Sequence, residues 1–241
     1  MKVFRLGTSP ERAQREIEAM LQCAHPNIAR LTSVDTHTIG SDTYLISFEE
    51  FLCGGTLSQR LQSGGLLATA DTRSIGAALI SAVAHVASLD LVHRDIKTDN
   101  VMLRADGNTP VLVDFGLVRD LSAASLTQTW LLQGPGTPLF APAEQLHNEK
   151  ALIDWRADQF SLGALLSISA FGFHPYDNGD DLPIDIVARV SSRSQPTQRF
   201  RDAAMAAGLP VLIKMTAPWP VERFRRPDEL LSAWTSQPAP V

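Results

Sequence analysis

Apolar and polar positions change their spacing about a quarter of the way along the chain. In the first part they come in short runs. Residues 2–6 suit a short strand. Ser9-Pro10-Glu11 then sets a capping residue before a proline at the first helical position. Ile17, Met20, Leu21 and Ala24 lie on one face of the helix this predicts, which stops at His25-Pro26. Residues 28–35 and 43–51 read as strands, and Ile39-Gly40-Ser41-Asp42 between them is turn chemistry, so they predict a hairpin. Cys53-Gly54-Gly55 breaks the chain. Beyond it the pattern is helical over 57–61 and 72–88, then mostly helix and loop from Pro142 to Trp234, with one short apolar strand at Val111-Leu112-Val113. The longest uncharged apolar run, residues 160–176, is shorter than the roughly 20 residues that cross a bilayer, and reads as a helix buried on all sides. The pattern divides the chain into a strand-rich unit over 1–53, a helical unit over 54–235 and a loose tail over 236–241, an α+β arrangement.

Composition narrows this picture. The 241 residues suit one to two domains. With 44% hydrophobic and 20% charged residues the chain is globular rather than disordered. A net charge of −5 argues against a nucleic-acid binder. No secretory leader pattern opens the chain. Two cysteines, Cys23 and Cys53, make no disulfide framework, which points to a reducing compartment such as the cytoplasm. The histidines show no metal-ligand spacing.

The chemistry concentrates in His93-Arg94-Asp95-Ile96-Lys97-Thr98-Asp99-Asn100 and in Asp114-Phe115-Gly116. Asp95 is a carboxylate that can take a proton from a substrate hydroxyl. Lys97, two residues on, can hold a transferring phosphate. Asn100 and Asp114 offer the hard oxygens that suit magnesium. The turn sequence Ala105-Asp106-Gly107-Asn108 between them predicts a hairpin that brings both ligands to one ion.

These two segments resemble the catalytic loop and metal-binding motif of eukaryotic-type protein kinases, and Lys97 resembles the Ser/Thr class. The resemblance has a bacterial flavour and runs over nearly the whole chain. It implies a two-lobed fold that uses ATP and Mg2+ on a protein substrate, with no nucleic acid or membrane as partner. It places Lys2 on the ATP phosphates with Glu16 as the acid that fixes it. Glu18 lies about 200° around the helix from Glu16, so only one of them points inward. Glu16, one turn before Met20, is the preferred one. His93 is implied as a packing residue, along with Phe115 and Gly116, and Arg94 as the partner of a phosphate on Thr127 or Thr129.

Downstream, Gly136–Glu144 resembles the substrate-docking segment, although its end reads Pro142-Ala143-Glu144 where the family keeps Ala-Pro-Glu. Glu144 is implied to pair with Arg223 in a buried salt bridge. Asp158 is implied to cap the catalytic-loop backbone. Glu50 and Leu52 are the candidates for adenine contact, in a stretch that aligns in more than one register. One family feature is missing: no Gly-x-Gly-x-x-Gly occurs in the chain. Without the strand pair that carries it, residues 2–6 are expected to form an apolar sheet edge, and the small lobe to keep about three strands and one helix. Three explanations stand. The natural start lies upstream of Met1, which is favoured; or the chain is a shortened scaffold without turnover; or a second polypeptide completes the lobe.

Overall fold

The computed structural model describes residues 1–4, 10–115, 119–120 and 138–239. The first element, β1 (Lys2–Val3), pairs antiparallel with β3 (Asp42–Glu49), which also pairs with β2 (Leu31–Ile39), giving the order β1-β3-β2. The hairpin forms where its turn predicts it. β2 and β3 are rich in β-branched and aromatic residues, and Gly40 takes a φ of +64°, which a residue with a side chain adopts only at a cost. The register sets Lys2 opposite Ser47 and Val3 opposite Ile46. Val3 is 45% exposed on this edge strand, whereas Phe4 is buried and its N–H donates to the Leu45 carbonyl at 3.0 Å; residues 5 and 6 of the predicted edge lie outside the described residues.

Helix α1 (Pro10–Gln22) turns a different face inward from the one the pattern predicts. Ala13, Glu16, Ala19, Met20 and Cys23 are buried, whereas Leu21 is 66% exposed. Positions 13, 16, 20 and 23 make a 3-4-3 stripe with a carboxylate in it. Reading only apolar letters rotates the helix toward Ile17 and Leu21. An acid sits on the inner stripe because a cation faces it.

The helical part begins at α2 (Leu57–Gly64), where Thr56 and Gln59 form a reciprocal cap: the Gln59 N–H donates to Thr56 Oγ1 at 3.1 Å and the Thr56 N–H to Gln59 Oε1 at 2.9 Å. The Gly54-Gly55 break before it is not slack. A Cβ on Gly54 would stand 2.2 Å from the Arg104 carbonyl oxygen, so only glycine lets the chain lie against the segment that follows Asn100. That segment is a hairpin of β5 (Val101–Leu103) and β6 (Pro110–Leu112), its turn closed by Asp106 Oδ1 accepting from the N–H groups of Asn108 and Thr109, both at 2.9 Å.

Helices α3 (Thr69–Ser88), α5 (Trp155–Phe171) and α9 (Pro227–Thr235) pack into the main core. α5 is buried at every position from Ala157 to Ser167, a stretch whose one charged residue is Asp158. α3 and α9 approach so closely that a Cβ at Gly76 would meet the Trp234 ring at 2.2 Å. The terminal segment expected to be loose is held as far as Pro238. The Val211 N–H donates to Gln237 Oε1 at 3.2 Å, and the Arg73 guanidinium donates to the Pro238 carbonyl. Gln237 carries this contact because its long amide reaches α8 (Val211–Met215), a partner no local pattern announces.

His174, just after α5, shows what burial does to a titratable group. It is 2% exposed, its Nδ1 accepts from the Tyr176 N–H at 3.2 Å, and burial depresses its pKa to about 3. The unfolded chain binds a proton near pH 6.5 and the folded chain does not. Its contribution is therefore complete above pH 6.5 and is lost as pH falls toward 3, at about 1.4 kcal/mol per pH unit. Urea titrations of the wild type and His174→Phe at pH 7, 6 and 5 are expected to show the two stabilities converging by that slope. A constant gap would count against it.

Candidate active site

The site lies where the three-stranded sheet meets the β5–β6 hairpin. Lys2 projects from β1 and its ammonium bonds Glu16 of α1, with Asp114 Oδ1 2.9 Å away. Burial by itself would lower the Lys2 pKa, but Asp114 and Glu16 outweigh it and hold the pKa above the ordinary value. Three segments far apart in sequence thus converge on one cation.

The loop from His93 to Asn100 is tied down from below. Asp158, on the first turn of α5, accepts the His93 N–H through Oδ2 and the Arg94 N–H through Oδ1, each at 2.8 Å. Complete burial pushes the Asp158 pKa up, against His93 and the two N–H bonds. His93 is itself buried. Its Nε2 lies 3.2 Å from the Val113 carbonyl oxygen and its ring meets Phe115 edge-on at 4.7 Å. The loop and the strand before Asp114 are thereby joined through one imidazole.

Asp95 is 7% exposed. Its Oδ2 accepts from Lys97 Nζ and from Asn100 Nδ2, both at 2.8 Å, and the same Asn100 amide also donates to the Asp95 carbonyl at 2.9 Å. Oδ1 accepts no hydrogen bond from another described residue. One carboxylate oxygen is therefore held by Lys97 and Asn100, and the other has no such bond among the described residues.

The hairpin brings Asn100 and Asp114 together: the Val113 N–H donates to the Asn100 carbonyl at 3.0 Å. With its amide nitrogen committed to Asp95, Asn100 has the amide oxygen to offer a cation. Among the described residues no group of three or more His, Cys, Asp or Glu could hold a metal ion. The pair suits Mg2+, which takes one or two protein oxygens and completes its shell with phosphate and water. Arg94 and Asp114 both take positive φ, 69° and 64°. Such backbone costs ~1–3 kcal/mol per residue and gathers at functional sites.

Glu144 and Arg223 meet in a pair with no exposed side-chain surface, Nη1 to Oε1 at 2.6 Å and Nη2 to Oε2 at 3.2 Å. Arg223 also donates to the carbonyls of Ala217, Arg156 and Pro218. The next residue, Gln145, donates to the Arg94 carbonyl at 2.7 Å, which links this brace to the loop bearing Asp95. Gly116, Thr127, Thr129 and residues 136–137 lie outside the described residues.

The side chains of the two adenine candidates have different surroundings. Leu52 is buried with Ala29 and Val111, beside half-buried Met102 and Val113. The Glu50 side chain turns instead to Arg104, 2.9 Å away, and to the Arg30 N–H at 3.1 Å. Burial would raise its pKa, but these bonds hold it below the ordinary value. Sequence reasoning missed three neighbours. Met102 and Val113 form an apolar plate beside Leu52; their signal was their place two residues after Asn100 and one before Asp114. Glu49 lies two residues beyond Ser47, so it shares the face of β3 that carries the Lys2 pairing position. Burial raises its pKa, Lys2 opposes this and Glu16 adds to it.

Comparison with known proteins gives the same direction. The profile described as "Protein kinase domain" matches residues 2–208. A maternal embryonic leucine zipper kinase of Danio rerio is 34% identical over 72% of this chain and 24% of its own length. The probable serine/threonine-protein kinase PknB of Lactococcus lactis is 29% identical over 92% of this chain and 34% of its own. The CBL-interacting serine/threonine-protein kinase 26 of Arabidopsis thaliana is 30% identical over 93% of this chain and 48% of its own. The chain therefore spans between a quarter and a half of the length of these relatives. Among the described residues no helix is long and apolar enough to cross a membrane.

Proposed function

Because this chain belongs to the protein kinase domain family, we propose that it transfers the γ-phosphate of ATP to serine and threonine hydroxyls of a protein. The observation that carries this is the Asp95 carboxylate, with Oδ2 held by Lys97 and Asn100 and Oδ1 left for a substrate hydroxyl. As the hydroxyl oxygen bonds to phosphorus and the bond to ADP breaks, Asp95 takes the hydroxyl proton. Lys97 steadies the transferring group and Lys2, aligned by Glu16, holds the remaining phosphates. Asn100 and Asp114 would hold Mg2+, which supplies neutralisation of phosphate charge. Leu52, Met102 and Val113 offer an apolar plate for the base. Arg94 is the proposed partner of a phosphorylated Thr127 or Thr129.

A second reading has one observation in its favour: the chain has no Gly-x-Gly-x-x-Gly. In that reading the fold binds without turnover. The test is incubation with γ-labelled ATP, Mg2+ and a generic basic protein, using this chain and a form extended upstream of Met1. Label recovered as phosphoserine or phosphothreonine is the expected result. No transfer by either form would overturn the enzyme reading.

A further inference from the structure

A concave site lies on the helical part, beside the Glu144–Arg223 brace. It is a groove of about 400 Å³ whose lining includes Pro196, Arg201, Ile213, Lys214, Ala217 and Glu222. Pro196, Ile213 and Ala217 make it apolar. Most arginines nearby are spent on acids: Arg189 on Asp181, Arg193 on Glu149, Arg199 on Asp177. Arg201 and Lys214 meet no carboxylate among the described residues. Arg201 donates only to neutral acceptors, the Gln198 amide oxygen and the Pro196 carbonyl. The Lys214 ammonium stands 4.3 Å from the centroid of the Phe224 ring. The acid in the groove, Glu222, accepts the Trp219 N–H at 3.2 Å. The setting is cationic too. Residues 189–226 hold eight of the chain's 21 Lys and Arg but two of its 26 acids, so the rest of the chain is strongly acidic.

We propose that this groove docks a protein segment rich in Asp and Glu, with an apolar side chain seated on Pro196, Ile213 and Ala217 and a flanking carboxylate on Lys214. The charge is complementary, and the bonds on Arg201 hold its guanidinium in place before the partner arrives, which lowers the ordering cost of binding. A carboxylate fits better than a phosphate. Phosphate recognition favours a free bidentate guanidinium fork, and three of the five N–H groups of Arg201 are already donating, whereas the ammonium of Lys214 is a point charge that a single carboxylate satisfies. The proposal does not depend on phosphotransfer.

The test is fluorescence anisotropy at ~50 mM salt, where exposed charges are little screened. The probe is a fluorescein-labelled heptapeptide with a central leucine and two acidic residues on each side. Its counterparts carry amides, lysines or phosphoserines in place of the acids. The acidic peptide is expected to bind roughly 10-fold more tightly than the amide form. Lys214→Glu is expected to abolish that preference and to bind the lysine peptide more tightly than the wild type does, a gain that a misfolded variant would not show. Equal binding of the acidic and amide peptides, an unchanged preference in Lys214→Glu, or tighter binding of the phosphoserine peptide would overturn it.

Discussion

Asp95→Asn is expected to lower the turnover of phosphotransfer by roughly 10²–10⁴-fold, the range a positioned general base supplies. The substitution is nearly isosteric. Its amide oxygen can still accept from Lys97 Nζ and Asn100 Nδ2, which both bond Oδ2 in the native site. What disappears is the negative charge that takes the hydroxyl proton. The loss therefore falls on kcat, while the KM for the protein substrate and the binding of ATP change little. Steady-state kinetics together with a melting curve check this. A variant that keeps wild-type turnover removes Asp95 from the chemistry; one that melts far below the wild type makes it a structural residue.

Arg223→Met is expected to destabilise the fold by about 3–5 kcal/mol, the usual result of stripping one partner from a fully buried ion pair. Against a typical domain stability of roughly 5–15 kcal/mol this is a large share. Two losses combine. Glu144 is left charged with no exposed side-chain surface, and the carbonyls of Ala217, Arg156 and Pro218 each lose a donor. Adding Glu144→Leu removes the first loss and leaves the second. The double variant is expected to recover part of the stability without reaching the wild type. Urea midpoints at constant slope measure both steps. A double variant no better than Arg223→Met would show that the backbone carbonyls, and not the orphaned carboxylate, carry the cost.

How far the site was legible depended on how close its parts lie in sequence. Asp95, Lys97 and Asn100 fall within six residues, and Asp114 follows across a turn whose Asp-Gly-Asn signal is plain, so their convergence was readable. Lys2 with Glu16, and Glu144 with Arg223 at a separation of 79 residues, came only from the resemblance to a family; no local pattern pairs them. The apolar letters of α1 point to Ile17 and Leu21, whereas the buried stripe contains Glu16, which the family resemblance already turns inward and whose counter-charge arrives from β1. Glu49, Met102 and Val113 carry no such signal of their own, because packing between segments is what places them beside Lys2 and Leu52. The Glu50 side chain pairs with Arg104, more than fifty residues downstream, a partner that spacing along the chain does not announce.

The sequence by itself determined most of the elements, the family and the candidate reacting groups. Each depends on short-range physics: the period of apolar positions, the residues that cap and turn, and carboxylate, ammonium and amide chemistry set a few positions apart. Only the tertiary structure decided which charges meet. It set Lys2 between Glu16 and Asp114, gave Asp95 one occupied oxygen and one open one, and left Arg201 and Lys214 without carboxylates while their neighbours found them. The reason is that burial makes an ion pair strong or costly according to where the counter-charge lies in space. That position is a property of packed helices and strands, and spacing along the chain does not encode it.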